Sequence, residues 1–334
     1  MTEPLRMLLG EWQTDEAFRR AITAPVTLIS APTLRDEDVV PLLGDVDVFL
    51  SKSFTPAMAA HAGRLRLIHT PGAGTNWIDL PAVPPHVTVC NVFGHEVSIA
   101  EYVLMAILAL NRDLLNMDAR FRRADWSDRK VRAPAGDVRG RTLGVIGLGH
   151  IGSEVARVGN ALGMRVVGAT RTPSPERAAA LGLASLVRLD RLEGVLGEAD
   201  FVVLAIPLEA GTAGMIGERE LGLMKRTASL INVARGEVVD EAALYAALSD
   251  GRIAGAAIDV WYRYPEGDEA ARPADQPFHE LPNVIMTPHI AGWTAETFRH
   301  RWAAIDDNLR RLSRGEPLLN VVRAAASGSP PVGG

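Results

Sequence analysis

The stretch RTLGVIGLGHIG, residues 141–152, constrains this chain more than any other. A short apolar run (Leu143, Val145, Ile146) reads as a buried strand and leads straight into Gly147-Leu148-Gly149-His150-Ile151-Gly152. An apolar helix pattern follows (Val155, Ala156, Val158, Ala161, Leu162), and a second strand candidate, 165–169, lies one βαβ unit later. Gly147 permits the tight turn, Gly149 lets a pyrophosphate approach the backbone, and Gly152 lets helix and strand pack closely. The helix start adds N–H groups and a positive dipole end. With the strand before and the helix after, the glycines predict a dinucleotide site that includes His150 and Ile151. The plain alternative is a glycine-rich βα turn with no ligand.

Length and composition bound the rest. A chain of 334 residues is expected to form two domains, each with its own core. Hydrophobic content of 47% and charged content of 22% are ordinary for a soluble globular protein. A net charge of −5 gives no general drive toward nucleic acid or anionic membrane. Cys90 is the only cysteine, which excludes an intrachain disulfide and a cysteine-based metal cluster; no metal site is expected. The start of the sequence lacks a secretory pattern. The longest apolar helix candidate, 97–110, is shorter than a membrane span and contains Glu101. A soluble, cytoplasmic protein is the expectation.

Because the glycine motif lies near the middle, a substantial unit precedes it. Strand candidates at 5–9, 26–29, 46–50, 67–70 and 87–92 alternate with helical stretches, and the rhythm resumes at 201–206, 229–233, 256–260 and 284–287. Strands separated by helices predict parallel, doubly wound sheets. Ser98 to Arg123 reads as one long helix, apolar nearly all round, which must be buried between domains or against a second subunit. The tail 324–334 (AAASGSPPVGG) is small, polar and Pro/Gly-rich, and is expected to be disordered.

Open α/β sheets bind ligands outside the carboxyl ends of their strands. Ile206-Pro207 follows one strand, Val233-Ala234-Arg235 the next, Asp259-Val260-Trp261 another, and Pro288-His289 the last. An arginine, an aspartate and a histidine thus emerge at successive strand ends. Arg235 suits a two-pronged grip on a carboxylate, and His289 can exchange a proton near neutral pH. Asp259 offers an acceptor for a nicotinamide carboxamide. Each alone would more often be structural; their joint placement points to a site.

Here the chain resembles the D-isomer-specific 2-hydroxyacid dehydrogenase family, which contains phosphoglycerate dehydrogenase, glyoxylate reductase and NAD-dependent formate dehydrogenase. The matching stretches are TPGAGTNWIDL (70–80), SIAEYVLMAILALNRDL (98–114), GRTLGVIGLGHIG (140–152), IPLEAGTAGMI (206–216), INVARGEVVDEAAL (231–244) and LPNVIMTPHIAGWT (281–294). The resemblance implies two doubly wound parallel-sheet domains, one Rossmann-like and one flavodoxin-like, with an active-site cleft between them. Residues 1–97 plus 291–323 would form a discontinuous substrate domain, residues 98–290 the dinucleotide domain, and the 98–123 region a homodimer contact. It implies catalytic roles for Arg235 and His289 and a nicotinamide-binding role for Asp259. It places Gly72, Ala73 and Gly74 on a loop whose N–H groups hold a substrate carboxylate, and Lys52 and Ser53 on another substrate-facing loop. Such a Gly-Ala-Gly turn is backbone that can aim amides at an anion. His95, Tyr264 and Trp293 complete the expected substrate residues. Ile206, Pro207, Thr212, Val233, Ala234 and Gly292 complete the cofactor residues.

Two departures from the family pattern matter. The family usually carries a glutamate that bonds the histidine, in a segment Asp-Val-Phe-x-x-Glu-Pro; here Tyr264 stands in its place. A carboxylate fixes the imidazole tautomer and favours its charged form, and a phenol supplies no charge. Formate dehydrogenases also lack this glutamate, and where they carry a substrate-contacting asparagine this chain has His95, followed by Glu96. Either is open as a replacement polar group. Second, NAD selectivity normally comes from an acid about 20 residues past the glycines, on the ribose 2′-OH. This strand ends Thr170-Arg171-Thr172, with no acid, which favours NADP(H) over NAD(H). The expected activity is hydride transfer between a nicotinamide cofactor and a small 2-hydroxy or 2-oxo acid, as in glyoxylate and hydroxypyruvate reductases. The alternatives are oxidation of formate or another small anion, and a non-catalytic dinucleotide sensor.

Overall fold

Two separate sheets, parallel but for one terminal strand and each covered by apolar clusters on both faces, form from the alternation of strand and helix in this chain. The computed structural model describes residues 3–10, 16–131, 134–265 and 270–326. The chain divides into one unit of residues 1–94 and 294–334 and another of residues 95–293. These boundaries compare with the expected 97/98 and 290/291.

In the first unit the strands are β1 (Leu5–Leu9), β2 (Val26–Ser30), β3 (Val48–Leu50), β4 (Leu67–His69) and β5 (Thr88–Cys90). They run parallel in the order β5-β4-β3-β1-β2. That is the doubly wound order with a switch at β1/β3. The helix Ala295–Arg314 belongs to this unit, capped by Thr294 and closed by Gly315 in the left-handed region, and buries Ile305 and Leu309 against β1, β3 and β4.

The second unit contains β6 (Thr142–Ile146), β7 (Arg165–Thr170), β8 (Ser185–Arg188), β9 (Phe201–Leu204), β10 (Ser229–Asn232), β11 (Gly255–Ile258) and β12 (Val284–Met286). All pair in parallel in the order β12-β11-β10-β9-β6-β7-β8, so every carboxyl end lies along one edge. Alternate residues feed opposite faces: Val202 and Leu204 enter one cluster, Phe201 and Val203 the other. Strand order reverses between β6 and β9, the switch point where open sheets accept ligands.

Three expectations are corrected. The 98–123 segment is two helices, Glu96–Arg112 and Leu114–Phe121, because Asp113 takes the left-handed conformation (φ 52°) and its N–H caps Ala109 and Leu110. Its carboxylate accepts hydrogen bonds from Asn116 and Arg120, which holds the break. The second helix has no buried residue, so the expected all-round burial fails within this chain. The first unit's sheet is not wholly parallel: β13 (Val321–Arg323) pairs antiparallel with β5. The tail is fastened at its start, where Ala325 and Ala326 donate to Thr88 and Pro85. Residues 327–334 lie outside the described residues.

Candidate active site

The glycine turn behaves as its composition demands. Gly147 has φ 92°, and a Cβ there would lie 2.3 Å from Ile206 Cγ2 and 2.4 Å from the Ala205 carbonyl oxygen. A Cβ on Gly152 would lie 1.8 Å from the Gly147 carbonyl oxygen. Gly149, the N-cap of the helix His150–Ala161, faces the opposite situation: nothing stands within 4 Å of its Cβ position. That opening at a helix start fits an approaching pyrophosphate. His150 is largely exposed on this turn, with Nδ1 3.9 Å from a Glu96 carboxylate oxygen; Ile151 is half-buried.

Around the switch point the sheet order sets out the other residues. Thr170 ends β7 and Arg171 follows, its guanidinium 2.7 Å from the Glu209 carboxylate in the loop after β9. Both partners are exposed, so the pair contributes little to stability and is open to exchange. Thr172 is also exposed. Arg177 reaches back from its helix to donate to the Leu148 carbonyl inside the glycine turn. Neither Glu209 nor Arg177 was anticipated; each meets its partner only through the fold.

Ile206 and Pro207 follow β9 as expected. Thr212, a cofactor candidate, is buried in its own turn, donating to the Pro207 carbonyl and accepting the Glu209 N–H at 2.8 Å. A hydroxyl so engaged holds the loop that carries Glu209.

At the end of β10, Asn232 turns the chain: its side chain accepts the Ala234 N–H and donates to the Arg235 carbonyl. Val233 and Ala234 are buried, and Arg235 emerges half-buried. A Cβ on Gly236 would stand 2.5 Å from the Trp261 carbonyl carbon, so only glycine lets this loop lie against the loop after β11. Arg235 thereby acts electrostatically on Tyr264.

Tyr264 Oη lies 2.8 Å from His289 Nδ1 and accepts the Trp261 backbone N–H at 3.2 Å. The residue in the glutamate's place thus keeps the contact with a phenol. Burial raises the Tyr264 pKa above its ordinary value, so the phenol stays uncharged at neutral pH. Beside a neutral imidazole protonated at Nε2 it donates to Nδ1. Beside an imidazolium it accepts from Nδ1–H. His289 is exposed and left-handed, with φ 60°. For a non-glycine residue that conformation costs about 1–3 kcal/mol and persists only where its surroundings over-determine it.

Asp259 follows β11 as expected. It is 1% exposed, and its carboxylate accepts hydrogen bonds from Thr287 Oγ1, Ile290 N and Ala291 N. It ties down the loop bearing His289. Gly292 packs toward the buried His95, and Trp293 is 56% exposed at the end of the unit.

The substrate-loop candidates belong to the first unit. Thr70 Oγ1 and Val92 N donate to the Gly72 carbonyl, and Asn91 Nδ2 donates to the Ala73 carbonyl. Since C=O and N–H point oppositely in a trans peptide, the N–H groups of Ala73 and Gly74 are turned away from these donors. Lys52 Nζ sits 5.5 Å from the centre of the Trp77 ring, and Ser53 N donates to Ser51 Oγ.

Residues 104–291 match the family described as "D-isomer specific 2-hydroxyacid dehydrogenase, NAD binding domain". The chain belongs to that family. It is 34% identical to glyoxylate reductase of Korarchaeum cryptofilum, over 85% of each chain. It is likewise 34% identical to D-3-phosphoglycerate dehydrogenase of Methanocaldococcus jannaschii, covering 87% of this chain and 54% of that one. The chain thus spans about half the length of the phosphoglycerate dehydrogenases it matches. Among solved structures it resembles an acyclic imino acid reductase in complex with NADPH and D-Arg. That match has 25% identity and a TM-score of 0.82, covering 96% of this chain and all of the other. No helix among the described residues is long and apolar enough to cross a membrane.

Proposed function

We propose that this chain is a nicotinamide-dependent oxidoreductase moving a hydride between its cofactor and a small 2-hydroxy or 2-oxo acid. One observation carries the reading: at the carboxyl edge of the same sheet that bears the glycine turn, Tyr264 contacts His289 and Arg235 acts electrostatically on Tyr264. A bound nicotinamide supplies or takes up the hydride. Arg235 pairs with the substrate carboxylate and polarises the adjacent carbonyl. His289 gives a proton to the forming alkoxide, or takes one up in the oxidising direction. The amides of Ala73 and Gly74 are assigned carboxylate binding, as the family resemblance implies. An imidazole held by a phenol favours proton transfer over formate oxidation, which needs no base. The test is a spectrophotometric screen of 2-oxo acids, glyoxylate and hydroxypyruvate included, with NADPH and NADH side by side and formate in the reverse direction. Tight dinucleotide binding without turnover of any acid would favour the sensor reading instead.

The phenol predicts the pH behaviour. Reduction uses the imidazolium, so kcat/KM for reduction falls as pH rises and the imidazole loses its proton. Tyr264→Glu places a carboxylate beside the ring, stabilises the imidazolium and moves that fall to higher pH. A profile unmoved by the substitution, with chemistry rate-limiting, would show that Tyr264 does not govern His289.

For the cofactor we favour NADP(H). Arg171, with Thr170 and Thr172 beside it, supports this reading: a 2′-phosphate would replace its weak Glu209 pair with a charge-assisted one. Arg171→Ala is expected to raise KM for NADPH by about tenfold to a hundredfold and to change KM for NADH little. Glu209→Gln, by releasing Arg171, should lower KM for NADPH. Equal or better use of NADH by the unaltered enzyme would overturn the preference.

We assign the contact between two copies to the segment after the helix break. Leu114, Leu115, Phe121 and Trp126 are each about half exposed there, and three of them line an apolar groove of about 500 Å³. Single exposed apolar residues are ordinary, whereas a contiguous patch marks an interface. A monomer in sedimentation equilibrium at micromolar concentration would refute this assignment.

A further inference from the structure

We propose that Tyr102 and Thr287 are positioning residues that set the backbone of the His289 loop through Asp259. The inference rests on the reading of His289 as the proton-transfer group.

Tyr102 lies in the apolar helix Glu96–Arg112, far in sequence from the chemistry, and is 9% exposed. Its Oη is 2.7 Å from Thr287 Oγ1, and Thr287 Oγ1 donates to Asp259 Oδ1 at 2.6 Å. A hydroxyl has one proton to give, and the carboxylate takes that of Thr287. Tyr102 must therefore donate to Thr287. Burial pushes the Tyr102 phenol up to about 12, which keeps it a neutral donor. The direction of the chain is thus fixed from Tyr102 through Thr287 to Asp259.

Asp259 passes the constraint on by accepting the N–H groups of Ile290 and Ala291, the two residues after His289. From the other side, the Thr287 carbonyl accepts the His289 N–H at 3.0 Å and the Trp261 indole N–H at 2.8 Å. Trp261 is also the residue whose backbone N–H meets Tyr264, the phenol on the imidazole. His289 is therefore bracketed before and after by groups that share Thr287. This supplies the over-determination its left-handed backbone needs. The Tyr102–Thr287–Asp259 series acts through the backbone and so sets where the ring stands.

The test combines Thr287→Val, Thr287→Ser and Tyr102→Phe with His289→Ala on the full chain. Thr287→Val removes a hydrogen bond to a buried charge, and kcat should fall by about tenfold to a hundredfold. Tyr102→Phe should lower kcat by about threefold to tenfold. In both, KM for the oxo acid and the dinucleotide Kd from tryptophan fluorescence should change less than twofold. Thr287→Ser keeps the hydroxyl and should restore kcat. Combined with His289→Ala, Thr287→Val should lower the residual rate no further, since a residue acting through His289 has nothing left to act on. An equal fall in that background, or normal kcat in Thr287→Val, overturns the proposal. Normal turnover in His289→Ala alone overturns the underlying reading instead. If Thr287→Val does not fold, Tyr102→Phe and its combination with His289→Ala decide the matter by the same criteria.

Discussion

His289→Ala is expected to reduce kcat on a 2-oxo acid by about 10²- to 10⁴-fold, the range of general acid–base catalysis, with dinucleotide Kd nearly unchanged. The ring is exposed at the end of β12, with three strands between it and the strand whose glycine turn is assigned the phosphates, so its removal is expected to spare cofactor binding. Arg235→Ala should lose a comparable share of kcat/KM, because both roles proposed for the guanidinium, carboxylate binding and carbonyl polarisation, go with it. Arg235→Lys should recover only part, since an ammonium cannot make the planar two-pronged pair. Near-normal kcat in His289→Ala, measured by stopped-flow so that product release cannot mask chemistry, would remove His289 from the mechanism.

The second large effect separates two glycines of one turn. In Gly152→Ala the new methyl would stand 1.8 Å from the Gly147 carbonyl oxygen, and Gly147 is itself held against Ala205 and Ile206. Neither backbone can yield cheaply, so the helix start must move. Overpacking of this kind costs about 1–3 kcal/mol or more, a fall in Tm of several degrees, and dinucleotide affinity should drop at least about tenfold. Gly149→Ala meets no atom within 4 Å and has φ −69°, which any residue accepts. Its Tm should stay within about a degree while affinity falls, because the methyl occupies the space assigned to pyrophosphate. Calorimetry and a binding titration on both variants decide it. Normal dinucleotide binding by Gly149→Ala would mean the turn does not hold the phosphates.

That contrast also marks how far the residue order reaches. The glycine turn was legible because its determinants are local: φ at Gly147 and close approach at Gly152 lie within a few residues. Strand positions were legible where strands are buried, since apolar runs such as 201–206 mark them. β8 and β13 escaped notice because they are edge strands, partly exposed, with no such run. The helix break at Asp113 had no glycine or proline to announce it.

The sequence by itself determined the family, the paired doubly wound sheets, and the emergence of Arg235, Asp259 and His289 at successive strand ends. What each of these touches was decided only by the tertiary structure. Tyr264 and His289 are 25 residues apart, Arg171 and Glu209 38, Tyr102 and Thr287 185. Contacts at such separations depend on which strands become neighbours and in what register. Thus the anchoring of the His289 loop by Asp259 could not be read from its place at a strand end; it arises where folding buries the carboxylate beside Ile290 and Ala291. Tyr102, read as one more apolar residue of a buried helix, became the start of a polar chain. A side chain's type limits what it can do; burial and partners, both long-range properties, select which of those things it does.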